Sequence, residues 1–255
     1  MSENKPFQGL TALVTGASRG IGAETAWGLA SRGASVLIHY HSGHESAAQL
    51  VERICQSGGQ ASAVSADLSR SEGIHHLLDW LAQRPAPVDI LVNNAGSLIQ
   101  RSRFLEITEE LWHRVLTLNL SSAFLISQAV LPAMVQRRKG VIVNISSVAA
   151  RFGGGIGAVA YSSAKAALST MTKGLAREFA PQGVRINAVS PGTIDTDYHA
   201  QFSTAQDLEA AAKATPLGRI GTSAEVADVV AFLCSEEARF IQGQTIEVNG
   251  GFLMV

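Results

Sequence analysis

Short apolar runs alternate with longer amphipathic stretches along the chain. Leu10–Thr15, Ser35–Tyr40, Ala61–Val64, Val88–Val92, Gly140–Ile145, Val184–Val189 and Thr245–Val248 are brief and several are rich in valine and isoleucine. Many end in Gly, Ser or Asn, which is how buried strands read. Helical spacing runs near Gly20–Ser31, Glu45–Ser57, Ser71–Gln83, Glu109–Arg138, Tyr161–Ala180 and Ser223–Ser235. This alternation predicts repeated crossover units. The expected fold class is α/β, a doubly wound, mostly parallel seven-stranded sheet with helices on both faces. No repeat, low-complexity tract or proline-rich linker interrupts the chain, so residues 1–255 are expected to form a single domain. Pro191–Leu217 breaks the alternation. It is long, polar and alanine-rich, so it is expected to be irregular and to form a substrate lid (191–217) within that domain.

Composition removes several functional classes. Of 255 residues, 46% are hydrophobic and 16% charged, which excludes disorder. Lys and Arg total 20 against 21 Asp and Glu, a net charge of −1, so nothing is left over to neutralise a phosphate backbone and no nucleic-acid partner is expected. Two cysteines, Cys55 and Cys234, exclude a disulfide framework and suit a reducing cytosol. The seven histidines are scattered, and no metal is expected. The N-terminus lacks a signal-peptide pattern, and no window approaches the roughly 18 apolar residues of a membrane span. The expectation is a soluble, cytoplasmic protein without a membrane partner.

Gly16, Gly20 and Gly22 fall where the first strand meets the first helix, in Thr15-Gly16-Ala17-Ser18-Arg19-Gly20-Ile21-Gly22. Gly16 permits a sharp turn, Gly20 a close approach of backbone to a pyrophosphate, and Gly22 tight packing of helix on strand. The free N–H groups and positive end of that helix then face the phosphates. Farther on, Tyr161 and Lys165 are four apart at a helix start and share one face. A phenol is a poor acid at neutral pH, and an ammonium one turn away is expected to lower its pKa and make the pair a proton donor and acceptor. Ser146 and Ser147 close the preceding strand, and Gly153–Gly157 leads into the Tyr161 helix. A serine at a strand's carboxyl end and a tyrosine at the next helix start can meet in one crevice.

With these motifs in this order, the chain resembles the short-chain dehydrogenase/reductase family from about Leu10 to Gly251. The resemblance implies a Rossmann-type fold. Thr15–Gly22 is similar to the family's cofactor turn, with Ser18, Arg19 and Ile21 among its contacts. Asp67, followed by Leu68, is similar to its adenine-contacting acid. Asn93-Asn94-Ala95-Gly96 is similar to its motif after the fourth strand. Asn119, Ser147, Tyr161 and Lys165 match its catalytic residues. Pro191-Gly192-Thr193-Ile194 with Thr196 is similar to the segment that reaches the nicotinamide. The family's serine-to-tyrosine interval favours Ser147 over Ser146.

The resemblance implies an oxidoreductase that moves a hydride between a nicotinamide and a carbonyl or alcohol carbon of a small molecule. Tyr161 would be the acid/base, and Ser147 would hold the substrate oxygen. Lys165 would lower the tyrosine pKa and hold the nicotinamide ribose, and Asn119 would keep a water in line with Lys165. One alternative is a 3-oxoacyl-acyl-carrier-protein reductase, with Arg137, Arg138 and Lys139 as part of a carrier dock. Gln182 weakens that dock, because those enzymes usually carry a basic residue there. A second alternative is a catalytically inactive NADP-binding sensor, although no catalytic residue is missing. A methyltransferase would have no use for Ser147, Tyr161 and Lys165, and an extended epimerase would be longer.

NADP(H) is expected in preference to NAD(H). An acid about 20 residues past the glycine turn would hold a ribose 2′-hydroxyl. That position is Tyr40, and no acid occurs before Glu45. Arg19, with Ser18, Ser42 and His41, is placed to meet a 2′-phosphate instead. Asp197, Tyr198, His199 and Phe202 on the lid are expected to select substrate. A homotetramer is expected from the resemblance and from the apolar tail Phe252–Val255, which should be buried in its own core or against a neighbour.

Overall fold

The computed structural model describes residues 5–196 and 202–255. Seven parallel strands build the main sheet: β1 (Thr11–Val14), β2 (Ser35–Tyr40), β3 (Gln60–Ser65), β4 (Ile90–Asn93), β5 (Gly140–Ile145), β6 (Val184–Pro191) and β9 (Thr245–Val248). They lie in the order β3-β2-β1-β4-β5-β6-β9. The order reverses between β1 and β4, and the crevice beyond their carboxyl ends is where ligands of open α/β sheets bind. Two-residue strands, β7 (Ile194–Asp195) and β8 (Gly221–Thr222), pair separately.

Side chains alternate across the pleat and feed two cores. Ala12 and Val14 of β1 face one layer, with α1 (Gly20–Ser31), α2 (His44–Gln56) and α9 (Ser223–Cys234) supplying Leu29, Ile54 and Val230. Leu13 faces the other layer, with α3 (Ser71–Ala82), α5 (Ser122–Arg137) and α7 (Val159–Phe179) supplying Leu77, Ile126 and Ala176. Burial on both faces explains why β1 and β4 read as nearly continuous apolar runs.

Four departures from the sequence reading matter. The stretch expected as one helix over 109–138 is α4 (Glu109–Leu116), a π turn at Thr117–Ser121, and then α5. Its span Glu109–Arg137 is, by length and composition, apolar enough to cross a membrane, contrary to the expectation that no such window exists. In the fold, Ile126, Val130, Leu131 and Met134 of this helix pack into the core beside the sheet. The segment expected to be irregular holds β7 and an α-helix, α8 (Ala205–Ala214), started by a capping box at Thr204 and Asp207. Asp197, Tyr198 and His199 lie outside the described residues. A short helix, α6 (Ala149–Phe152), follows Ser147 and was not anticipated.

Candidate active site

A single cavity of about 660 Å³ runs along the carboxyl ends of the strands, from the glycine turn to Ser147, Tyr161 and Lys165. Gly16 and Gly20 hold φ of 63° and 56°, the left-handed region that glycine enters without strain. A Cβ on Gly16 would stand 2.9 Å from Ala95 Cα, and one on Gly22 would strike Gly16 O and Asn94 Nδ2. The turn is held from below. Thr15 Oγ1 accepts from Asn94 N and Ala95 N at 3.0 Å each, while Asn94 Nδ2 donates to Thr15 O and Gly16 O. Helix α1 carries no acid in its first turn and no side-chain cap, so its opening N–H groups are left to a ligand. The close backbone approach and this uncapped helix start fit a pyrophosphate-bearing cofactor.

Ser18, Arg19, Ile21, His41, Ser42, Asp67 and Leu68 line the nucleotide end. Ser18 is packed against Gly43, where a Cβ would meet its Oγ at 2.7 Å, so the turn and the end of β2 are in contact. Burial alone would raise the Asp67 carboxyl. Bonds from Ser69 N and Oγ, at 3.0 and 2.7 Å, outweigh it and hold the group below its ordinary range. His41 and Arg70 flank its other oxygen at 3.9 and 3.5 Å.

Two expected contacts are absent from the cavity wall. Tyr40 is buried, and its hydroxyl pairs with His44 Nδ1 at 2.7 Å. Alternation on β2 sends residues 39 and 40 to opposite faces, which carries Tyr40 away from the turn and beneath α2. Asn93 is buried under the site, its Nδ2 donating to Ser127 Oγ and Asn144 Oδ1. The residue that pattern reading missed is His39. It is buried, with Nδ1 3.1 Å from Gly16 N and Nε2 3.0 Å from Ala66 O, and burial pushes its pKa down to about 4. Only its place next to the expected acid position hinted at a role.

At the other end, Ser147 and Tyr161 are hydrogen-bonded through their hydroxyls. Ser146 points away, into α7, bonded to Lys165 O and Ser169 Oγ. The geometry therefore selects Ser147. Lys165 is 2% exposed, donates to Ile145 O at 2.7 Å, and sits 5.7 Å from the centre of the Tyr161 ring. Burial lowers its pKa to about 7. The Tyr161 phenol is raised by burial, only partly offset by Ser147. This corrects the expected lysine-lowered phenol: desolvation of the buried ring governs, and Lys165 Nζ is turned toward the Ile145 carbonyl.

Asn119 lies behind the wall on the π turn, the kind of irregularity that gathers at functional sites. Its Oδ1 accepts from Ser97 N, and its Nδ2 donates to Ser97 O and Val115 O. A Cβ on Gly96 would meet Asn119 Oδ1 at 2.7 Å and Lys165 Nζ at 2.9 Å, so Gly96 passes between them. Ile99, also on the wall, holds φ of 61°, a strained choice for a β-branched residue. Pro191, Gly192, Ile194 and Thr196 line the cavity, as does Phe202 just before α8. Among the described residues, no cluster of His, Cys, Asp or Glu could hold a metal.

A crevice at a reversal of strand order, lined by an uncapped helix start and by Ser147, Tyr161 and Lys165, is compatible with the nucleotide sites of oxidoreductases with a doubly wound sheet. Residues 16–253 match a family model described as enoyl-(acyl carrier protein) reductase. The chain belongs to the short-chain dehydrogenase/reductase family. It is 44% identical to a 3-oxoacyl-acyl-carrier-protein reductase of Aquifex aeolicus, over 96% of this chain and 98% of the relative. It is 36% identical to glucose 1-dehydrogenase 2 of Bacillus subtilis, over 98% and 97%. A crystal structure from Beutenbergia cavernae, described provisionally as an NAD(P)-dependent gluconate 5-dehydrogenase with NADP bound at low occupancy, is similar with a TM-score of 0.89. It is 36% identical, with 98% of each chain covered.

Proposed function

We propose that the protein reduces a carbonyl compound, or oxidises the corresponding alcohol, with NADP(H). The observation that carries this reading is the one cavity that joins the glycine turn to Ser147, Tyr161 and Lys165. The nicotinamide, when bound, supplies or accepts the hydride. Tyr161, kept protonated by burial, donates its proton to the substrate oxygen in the reductive direction. Ser147 hydrogen-bonds that oxygen and stabilises the charge that develops on it. Lys165 would hold the nicotinamide ribose, and Asn119 keeps Ser97 and the lysine environment in place. Among the described residues on the cavity wall the one carboxylate is Asp67, which is already engaged by Ser69, Arg70 and His41. A 2′-phosphate would therefore be held by Arg19, Ser18, Ser42 and His41, with no free acid opposing it among the described wall residues.

Relatives with a carrier-linked substrate support the alternative of a 3-oxoacyl reductase. Two members of the basic trio are committed elsewhere, however. Arg137 pairs with Asp89 at 3.0 Å, and Arg138 donates to Pro181 O at 2.8 Å. The favoured substrate is a free small carbonyl compound. A soluble cytoplasmic enzyme is part of this reading, and two free cysteines suit a reducing compartment.

The test is loss of nicotinamide absorbance with NADPH over a panel of ketones, sugar acids and a 3-oxoacyl thioester. Tyr161→Phe should lower turnover at least about 100-fold with NADPH affinity close to the parent's. Residual rates within tenfold would assign the acid–base work to another group. NADPH binding with no turnover across the panel would favour the inactive sensor.

A further inference from the structure

His39 takes part in neither the hydride nor the proton step, yet it touches both walls of the nucleotide end. Its Nδ1 faces Gly16 N–H at 3.1 Å, and its own carbonyl accepts from Ala17 N–H at 2.8 Å. One residue of β2 thus takes two consecutive N–H groups of the glycine turn. Its Nε2 faces Ala66 O at 3.0 Å, immediately before Asp67 and Leu68. A backbone N–H can only donate and a backbone carbonyl can only accept. The ring must therefore be neutral, with its proton on Nε2. His41 is a charged neighbour of the ring when protonated and disfavours its protonation, and burial acts the same way.

We propose that His39 is a positioning residue for the cofactor: a neutral imidazole strut of fixed tautomer that sets the spacing between the phosphate turn and the adenosine wall. The proposal rests on the cofactor reading above. With the N–H groups of residues 16 and 17 spent on His39, the turn presents its later N–H groups and the start of α1 to the phosphates. The strut also ties that turn to the loop carrying Asp67. A misplacement on the order of 1 Å in such a frame is enough to weaken a ligand that spans both walls.

Two measurements test it. The first needs no variant: nitrogen-15 NMR of the ring at pH 7, without cofactor, should show an unprotonated Nδ1 and a protonated Nε2. The opposite tautomer, or an imidazolium, overturns the proposal. The second compares His39→Phe with His39→Asn by NADPH fluorescence titration. Phe keeps volume but loses both bonds, and should weaken NADPH about 10- to 100-fold. Asn carries an acceptor near the place of Nδ1 but leaves Ala66 O without its partner, and should fall between Phe and the parent, at about three- to tenfold. Both should retain near-parent turnover per bound cofactor, so the effect falls on the cofactor KM and not on kcat. Equal affinities for Phe and Asn, or a change confined to thermal stability, would make His39 merely structural. A parent protein that binds neither NADPH nor NADH refutes the cofactor reading itself, while the NMR result still judges the tautomer.

Discussion

Lys165 shows how burial and chemistry pull on one group. An unfolded chain would titrate this lysine near its ordinary 10.5, and the folded chain near 7. Between these values the unfolded chain holds more protons, so stability rises with pH across that window, and the cost of the buried ammonium is fully present below about 7. Lys165→Met should therefore stabilise the cofactor-free protein at neutral pH by an amount on the order of a few kcal/mol, the advantage shrinking toward pH 10. Urea unfolding of both proteins from pH 6 to 10 checks this, and parallel curves would refute it. Arg19 supplies the second prediction at this scale. Charge-assisted bonds of about 1.5–3 kcal/mol correspond to roughly 10- to 150-fold in affinity. Arg19→Ala should weaken NADPH by that factor and leave NADH nearly unchanged. Equal losses for both would move the 2′-phosphate elsewhere. The glycines and Ser147, Tyr161 and Lys165 were legible because their spacing is local. His39 and Tyr40 were not, because pattern reading located the strand's end but not which face each side chain takes.

Among the elements, α8 is held most lightly. It buries no side chain, and its start depends on Thr204 Oγ1 accepting from Asp207 N while Asp207 takes Thr204 N. Thr204→Ala should cost about 1 kcal/mol locally, which speeds amide exchange across Ala205–Ala214 about fivefold. The global melting temperature should move little, since no core residue is involved. Substrate KM should rise while kcat holds, because Phe202 joins α8 to the cavity. A general loss of stability without selective exchange would refute the proposal that α8 is part of a substrate lid. The π turn at Thr117–Ser121 makes a related point. Helical spacing over 109–138 was readable, but one widened turn changes the direction in which Asn119 faces, and that depends on its bonds to Ser97.

At the scale of the molecule, the apolar tail was expected to be buried. Phe252 packs edge-on against Phe152 at 5.8 Å, but Met254 and Val255 are 83% and 79% exposed. Their own core does not cover them, and we propose that a neighbouring copy does. Sedimentation at micromolar concentration should give a tetramer, and removal of Leu253–Val255 should shift it toward smaller species. A stable monomer in the parent would refute this. Phe152 also lines the cavity, so Phe252→Ala, which removes its ring partner, should alter substrate KM as well.

The sequence by itself determined the alternation of strand and helix, the parallel sheet, the glycine turn and the serine–tyrosine–lysine order. Each depends on periodicity or on neighbours within a few residues, where backbone geometry leaves few choices. Only the tertiary structure decided which serine faces the tyrosine, and that Tyr40 turns under α2. It also decided that burial governs the Tyr161 and Lys165 protons, and that His39 reaches Gly16 and Ala66 across long stretches of chain. These outcomes depend on desolvation and on partners brought together by strand order, and neither can be read from residue spacing.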